Sequence, residues 1–212
     1  MANAGLQIIN DGGSFQIDQT YRNLCLRQKG TAVTTSTLST GSSYASFNVT
    51  GLTSPIIAVG GSATACPQTY WDAANSRHGF LISANGAVGT SVPYYIFDVP
   101  TELGATYGFQ VRDASGVLLF DATQPPLRVR GFYPNQSANV SSLTSGRTYA
   151  VAHLKLGFRA VTLEALFARM YGTVPTTNGF NINYINYATI PSSPSQTAIR
   201  LPDLMAIDVT NY

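Results

Sequence analysis

The chain has 212 residues, of which 44% are hydrophobic, enough for one sizeable domain with a real core. Only 10% of the residues are Asp, Glu, Lys or Arg, whereas an ordinary soluble domain has roughly 25%. The net charge is +2, so Ser, Thr, Asn, Gln and Gly must cover a surface with little colloidal repulsion. This composition favours a protein that works inside a large assembly or outside a cell over a concentrated cytosolic monomer.

The charge pattern also argues against two classes of partner. The Lys and Arg residues are scattered, with Arg128 and Arg130 as a close pair, and they form no basic stripe for nucleic acid. No run of about 18 apolar residues occurs, so neither a transmembrane helix nor membrane insertion is predicted. The N-terminus, MANAGLQIIN, lacks the cationic and apolar regions of a secretory signal, and we therefore expect synthesis in the cytoplasm.

Cysteine usage is sparse. Cys25 and Cys66 belong to no CxxC unit, and with only His78 and His153 beside them a zinc site would be hard to assemble. Two cysteines in a reducing compartment favour small buried hydrophobic side chains, although a Cys25–Cys66 pairing stays open. We expect no metal and no cofactor.

One short stretch occurs twice. Residues 5–18 read GLQIINDGGSFQID and residues 108–121 read GFQVRDASGVLLFD, with four identical and four similar positions. In each, an alternating apolar stretch runs into Asn, Asp, Ser and Gly and then resumes, which is typical of a β-hairpin. Gly13 and Gly116 are expected to supply the positive φ of the turn. Packing of the two hairpins against each other would pair Leu6, Ile8 and Ile17 with Phe109, Val111 and Phe120.

Most of the remaining chain is predicted to form β-strands. Strands or hairpins are predicted over residues 20–30, 31–50, 54–61, 79–99, 127–132, 147–158, 179–187 and 198–209. Within residues 79–99, Asn85-Gly86 is the strongest short hairpin-turn dipeptide, with Gly86 as its glycine.

One helix is expected, over residues 161–172. Apolar residues approximate one helical face, Glu164 lies in the first turn, Arg169 in the last, and Gly172 is placed to cap the C-terminus. The alternative is that this segment continues the preceding strand. The predicted fold is therefore all-β, an antiparallel β-sandwich-like domain with a repeated hairpin and one short helix. We expect residues 1–158 to form its core and residues 159–212 a helix plus a C-terminal β appendage, either as a separate unit or within the same domain.

Catalytic patterns are weak. No GxSxG elbow occurs, no motif places His78 or His153 beside a nucleophile, and the glycines at Gly12 and Gly13 lie in a hairpin instead of preceding a helix. We therefore expect a protein that is not an enzyme and has no catalytic residues.

Aromatic residues are the candidate binding groups. Residues 62–78 are irregular and contain the only tryptophan, Trp71, which could be a ligand platform or an anchor that packs this loop onto the sandwich. The aromatic side chains that could stack on sugar rings or line an interface are Tyr70, Trp71, Tyr94, Tyr95, Tyr184 and Tyr187.

Three motifs carry a resemblance. The segments GLQIINDGGSFQID, TYRNLCLRQKG and YGFQVRDASGVLLFDATQPPLRV make the chain similar to small β-rich virion proteins of long-tailed bacteriophages, which are encoded among the tail genes and associated with the tail tip or its fibres. The resemblance covers the first thirty residues and approximately residues 107–129. It implies a structural tail component without catalysis or cofactor, assembled in the host cytoplasm and located in the virion.

The expected partners follow from this resemblance. They are other virion proteins and further copies of the chain, with a trimer favoured for a fibre or tip and a hexamer possible for a tail ring. A receptor- or glycan-binding module of the tail tip and a capsid decoration protein are the alternatives.

Overall fold

The computed structural model describes residues 7–9, 15–18, 22–102, 108–160, 167–189 and 198–212. Within these residues every regular element is a β-strand and every strand pairing is antiparallel, which confirms the all-β antiparallel class. The strands are β1 Gln7–Ile9, β2 Phe15–Asp18, β3 Cys25–Val33, β4 Ser36–Ser39, β5 Ser42–Val49, β6 Ile56–Val59, β7 Ala65–Asp72, β8 Arg77–Asn85, β9 Ser91–Asp98, β10 Gln110–Arg112, β11 Leu118–Asp121, β12 Val129–Tyr133, β13 Tyr149–Lys155, β14 Phe158–Ala160, β15 Phe167–Thr176, β16 Gly179–Thr189, β17 Ala198–Arg200 and β18 Asp203–Asp208.

Two large sheets contain most of these strands. The six-stranded sheet has the order β12-β18-β13-β6-β9-β3, and the eight-stranded sheet runs β17-β14-β15-β7-β8-β5-β4, with β16 paired to β15. β1 and β2 form a separate two-stranded sheet, as do β10 and β11.

The six-stranded sheet buries side chains on both faces. In β9, Tyr94 and Ile96 pack with Phe80 and Ile82 of the eight-stranded sheet. The intervening Phe97 packs on the other face, in a cluster that also draws on β13 and β18. Because neighbouring residues in a strand point to opposite faces, β9 reads as a nearly continuous apolar run.

This sheet curls until its two edges meet at one end. Cys25 of β3 forms an antiparallel bridge with Pro126, just before β12. Leu127 N donates to Leu24 O at 2.7 Å, and Leu26 N donates to Pro125 O at 2.7 Å. Some backbone N–H and C=O groups of each edge strand are thereby hydrogen-bonded to the other edge, so fewer of them remain unpaired.

The repeated stretch forms two hairpins of identical register. Gln7 pairs with Asp18 as Gln110 pairs with Asp121, and the same β-bulge follows Ile8 and Val111. Gly116 has φ 83°, as a turn glycine requires. Gly13 and Leu6 lie outside the described residues, and the side chains of Ile8 and Ile17 are not described either, so the predicted packing between the hairpins stays a prediction.

The identical residues of the repeat have a structural role in the second hairpin. Asp121 accepts a hydrogen bond from Gln110 Nε2 at 2.9 Å and two from Thr123, through its backbone N at 2.8 Å and its Oγ1 at 2.6 Å. These bonds lower the pKa of Asp121 to about 2, with the Thr123 hydroxyl as the largest cause. Gln110 and Asp121 join the two strands, so their identity in the repeat reflects how the hairpin is closed.

The predicted helix is wrong where the structure describes it. Residues 167–172 belong to β15, whereas residues 161–166 lie outside the described residues. β15 pairs with β16 along its whole length and also with β14 and β7, so pairing on both sides outweighs the weak helical periodicity. Gly172 is no helix cap. A Cβ there would meet Ile185 Cδ1 at 2.7 Å and Thr64 Cγ2 at 2.8 Å, so glycine permits close packing.

The hairpin predicted around Asn85-Gly86 is also wrong. β8 pairs with β5 and β7, whereas β9 pairs with β3 and β6 in the other sheet. Gly86 does lie in a turn, but this turn carries the chain from one sheet to the other. Its φ of 155° and the clash that a Cβ would make with Thr90 Oγ1 explain the glycine.

The C-terminal residues belong to both large sheets. β18 lies between β12 and β13, and Leu204, Ala206 and Ile207 are fully buried. β15 pairs with β7. The part of the predicted appendage that the structure describes is therefore paired with strands of residues 1–158.

Candidate interaction site

The β7–β8 hairpin presents two aromatic side chains near its turn. Tyr70 is 43% exposed and Trp71 is 54% exposed. A cross-strand ion pair holds the end together, with Arg77 Nε 3.0 Å from Asp72 Oδ2, and Asn75 Nδ2 donates to the same oxygen at 2.9 Å. These contacts lower the pKa of Asp72, with the Asn75 hydrogen bond as the largest cause.

Tyr70 and Trp71 face opposite sides of the strand. The Tyr70 ring lies over Gly79, where a Cβ would collide with it, and its hydroxyl is 3.2 Å from Ser46 Oγ. The Trp71 ring packs edge-on against His78, with centroids 4.9 Å apart. Each ring therefore has one supported side and one exposed side, and the two form separate surfaces.

The other candidate aromatics are dispersed. Tyr94 is 8% exposed, packs 4.8 Å from Phe47, and accepts a hydrogen bond from Gln28 Nε2 at 2.7 Å. Tyr95 is half-buried, and burial raises its pKa. Tyr184 packs 5.0 Å from Tyr171, and only Tyr187, at 50%, is exposed like the hairpin pair. The six residues thus form no common platform.

A row of apolar side chains lies where β13 passes into β14. Leu154, Leu156 and Phe158 occupy alternate positions and are 49%, 37% and 44% exposed. Ile199 of β17 is 55% exposed too, but it lies opposite Arg159 and therefore on the other face of the sheet from Phe158. We call Leu154, Leu156 and Phe158 the apolar row. Large side chains exposed in a group are typical of a contact surface, whereas single ones are ordinary.

A cavity of about 320 Å³ opens beside the apolar row, at the small end of the range for ligand pockets. It is lined by Pro55, Ile56, Ile57, Pro67, Gln68, Thr69, His153, Leu154 and Leu156. Polar and apolar groups contribute about equally to its walls, and His153 is the one titratable residue that lines it.

The imidazole of His153 is held by two neighbours. Its Nδ1 lies 3.5 Å from Cys66 Sγ, and its Nε2 lies 3.2 Å from Thr173 Oγ1. Burial lowers the pKa of His153 to about 3 and raises the pKa of Cys66 to about 12. Both groups are therefore neutral at physiological pH. The consistent assignment has the thiol donating to Nδ1 and the Nε2–H donating to Thr173.

This arrangement does not resemble an activated cysteine. A nucleophilic thiol needs a lowered pKa and access to substrate, whereas Cys66 is fully buried with a raised pKa. Cys25 is buried too, its Sγ lies 3.2 Å from Gln124 Oε1, and burial raises its pKa to about 11. Both cysteines are free and buried. This confirms the prediction that they are small buried side chains and excludes the Cys25–Cys66 pairing.

A buried carboxylate near the C-terminus, that of Asp208, has a strongly lowered pKa. Asp208 is fully buried and accepts from Arg130 Nη2 and Arg147 Nη1, each at 2.8 Å, and from Thr210 N at 3.0 Å. Burial by itself would raise its pKa, but the bonds from Thr210 and Arg130 outweigh burial and lower it. The carboxylate joins β18 to the start of β13 and to β12, so its role is structural.

The described residues contain no group of three His, Cys, Asp or Glu side chains that could hold a metal ion. Over the same part of the chain, no helix is long and apolar enough to span a membrane. No family model, curated protein or solved structure matches the chain.

Sequence reasoning missed two features of this site. The apolar row is visible in the sequence only as part of a strand, because exposure depends on what covers the strand. The contact between Cys66 and His153 joins residues far apart in the chain, and no local signal could have predicted it.

Proposed function

We propose that the chain is a structural virion protein of a bacteriophage tail, at the tail tip, baseplate or fibre attachment point, and acts by protein–protein assembly. The observation that carries this proposal is the apolar row on a surface with few charges. A partner that covers Leu154, Leu156 and Phe158 gains about 25 cal/mol for each Å² of apolar surface removed from water. The resemblance of the repeated hairpin to tail-associated proteins supports the same function.

The architecture suits such a role. We propose a sandwich-like packing of the two large sheets, supported by a buried cluster to which Phe80 and Ile82 of one sheet and Tyr94 and Ile96 of the other contribute. Rigid antiparallel sheets hold surface side chains in fixed positions, which favours repeated assembly with other virion proteins.

Self-assembly is tested by the mass of the purified chain in solution. We expect an oligomer, with a trimer favoured and a hexamer possible. Phe158→Ser should shift it toward the monomer, whereas Val88→Ser, at an isolated loop residue that is 52% exposed, should not. A wild-type chain that stays monomeric at micromolar concentration would contradict self-assembly.

Location is tested on purified phage particles by immunogold labelling. Label at the distal end of the tail supports the proposal, and label on the head would instead identify a capsid decoration protein. Absence of the chain from particles would refute a virion role.

A receptor- or glycan-binding module is the second candidate, favoured by the exposed rings of Tyr70 and Trp71. Each would stack on a sugar ring separately because the two face opposite sides. Trp71→Ala should then abolish binding to host cells without changing the melting temperature, with Val88→Ala as the control. Unchanged binding would assign Trp71 to the scaffold.

A further inference from the structure

The six-stranded sheet consists of two three-stranded halves, and equivalent strands follow one another in opposite order across the two halves. One half is β3-β9-β6 and the other is β12-β18-β13, so β3 corresponds to β12, β9 to β18 and β6 to β13. In each half, the edge strand follows the repeated hairpin, and the strand next to that edge is the last of the set along the chain.

The registers of the two halves agree down to an irregularity. Leu26 pairs with Phe97 and Gln28 with Ile96, leaving Arg27 as the extra residue of a β-bulge. In the second half, Val129 pairs with Ile207 and Gly131 with Ala206, leaving Arg130 as the extra residue. The bulge occurs at the same place and holds the same residue type, which two unrelated strands would not share by packing alone.

The eight-stranded sheet shows the same correspondence. β7 and β8 match β15 and β16, and Gly79-Phe80 with Ile82 is repeated as Gly179-Phe180 with Ile182. Residues 46–54, SFNVTGLTS, are matched by residues 137–145, SANVSSLTS. Residues 46–49 of the first segment pair with β8, where Val49 lies opposite His78, and Val140 of the second segment bridges to Phe180 of β16, two residues out of step.

The buried clusters follow the same division. One cluster includes Phe80, Ile82, Tyr94 and Ile96. Its counterpart includes Phe180, Ile182, Leu204 and Ala206. A third cluster takes matching residues from both halves, namely Leu24 with Leu127, Ala58 with Ala152 and Phe97 with Ile207.

Where the halves meet, strands pair with their own counterparts. β6 pairs with β13 through Ala58 and Ala152, β7 pairs with β15 through Ala65 and Thr173, and Leu127 N donates to Leu24 O. All three pairings are antiparallel. A twofold axis perpendicular to the strands requires this, because it turns each strand onto its counterpart with the direction reversed.

We infer that the edge formed by β6 and β7 is a self-association surface whose partner is a second copy of the same unit, and that the chain carries both copies fused in tandem. The first copy is residues 7–102 and the second is residues 108–212, related by a pseudo-twofold axis between β6 and β13. This inference stands independently of the proposed virion role.

The copies differ in one instructive place. In the first, the chain passes from β6 to β7 within residues 60–64, whereas in the second, β14 and residues 161–166 come between β13 and β15. Leu156 and Phe158 of the apolar row lie in this extra segment, so that surface belongs to the second copy alone.

A circular permutant of the whole chain tests whether the two copies are equivalent units related by the pseudo-twofold axis. It runs from residue 108 to residue 212 and then from residue 1 to residue 107, behind an initiating methionine. By the pseudo-twofold axis, the connection from Tyr212 to Gly5 in the permutant is equivalent to the connection from Glu102 to Gly108 in the wild-type chain. Residues 1–4 should therefore bridge the first connection as residues 103–107 bridge the second. We expect a folded protein with the wild-type mass in solution and a melting temperature within about 5 °C of wild type.

A control permutant opened between Asn75 and Ser76, in the exposed β7–β8 turn, contains the same new junction. If the permutant opened at residue 108 fails to fold, the axis is refuted, whichever way the control behaves. Failure of both would show that the junction cannot be spanned, and failure of the first alone would show that the two copies are not the units.

A hairpin transplant provides a second, milder test. Residues 110–121 are replaced by the sequence of residues 7–18, which has the same length and supplies Gln and Asp at the same ends. We expect a melting temperature only a few degrees below wild type. The control transplant, of residues 36–47 from the β4–β5 hairpin, lacks both residues and should cost substantially more. Equal losses would contradict the equivalence of the two hairpins.

Discussion

Asp208→Asn is expected to cost about 2–3 kcal/mol of folding stability near pH 7. Asp208 is fully buried, and Arg130 and Arg147 each place a nitrogen 2.8 Å from its Oδ2. Removing one member of a buried ion pair typically costs about 3–5 kcal/mol. The two arginine side chains are each 39% exposed and can regain water, which reduces the cost.

The pH dependence of this loss follows from the lowered pKa of Asp208. The unfolded carboxyl titrates near pH 3.9 and the folded one well below it, so the stabilisation is complete above about pH 5 and is lost as the pH falls. The asparagine does not titrate. The stability difference between wild type and variant should therefore shrink between about pH 5 and pH 2.

Urea unfolding followed by far-UV circular dichroism at several pH values measures this difference. Asp203→Asn is the matched control, because Asp203 forms a partly exposed pair with Lys155 at 3.0 Å and should affect stability much less. A difference for Asp208→Asn that stays constant on acidification would show that its charge does not stabilise the fold.

Two further predictions concern the hairpin turn and the thiols. Gly116→Val should lower the free energy of unfolding by about 1–3 kcal/mol, because its φ of 83° strains a β-branched residue although the space around it is open. Ser115→Val is the control, and an unchanged urea transition for Gly116→Val would count against a strained turn. Cys25 and Cys66 should react with a thiol reagent at about pH 8 only after unfolding, because both are buried with raised pKa values. Rapid reaction of the native chain would mean that one of them is accessible.

Local sequence patterns predicted the features that depend on a few neighbouring residues. The hairpin of β10 and β11 was predictable because Gly116 and the alternation around it specify a turn between two short strands. A strand was predicted within residues 20–30, and β3 begins there at Cys25. The buried cysteines also follow from composition.

The errors arose where pairing across the chain outweighs local pattern. Met170 fits one face of a helix, yet it lies in a strand that pairs with Ile185 and Phe158 on its two sides. Asn85-Gly86 has the sequence of a hairpin turn, but Phe80 and Ile96 on either side of it contribute to one cluster from different sheets. A turn dipeptide specifies a change of direction and not the strand that pairs next.

The sequence by itself determined the all-β class, the sparse charge and the short repeat, because each depends on composition or on residues that are near neighbours in the chain. Only the tertiary structure decided that the repeat extends to both halves, since the matching strands carry few identical residues and are recognised by pairing register. Ala58 opposite Ala152 and the shared bulge at Arg27 and Arg130 show this relation. Which apolar side chains remain exposed was likewise decided by packing, because burial depends on what the rest of the chain covers.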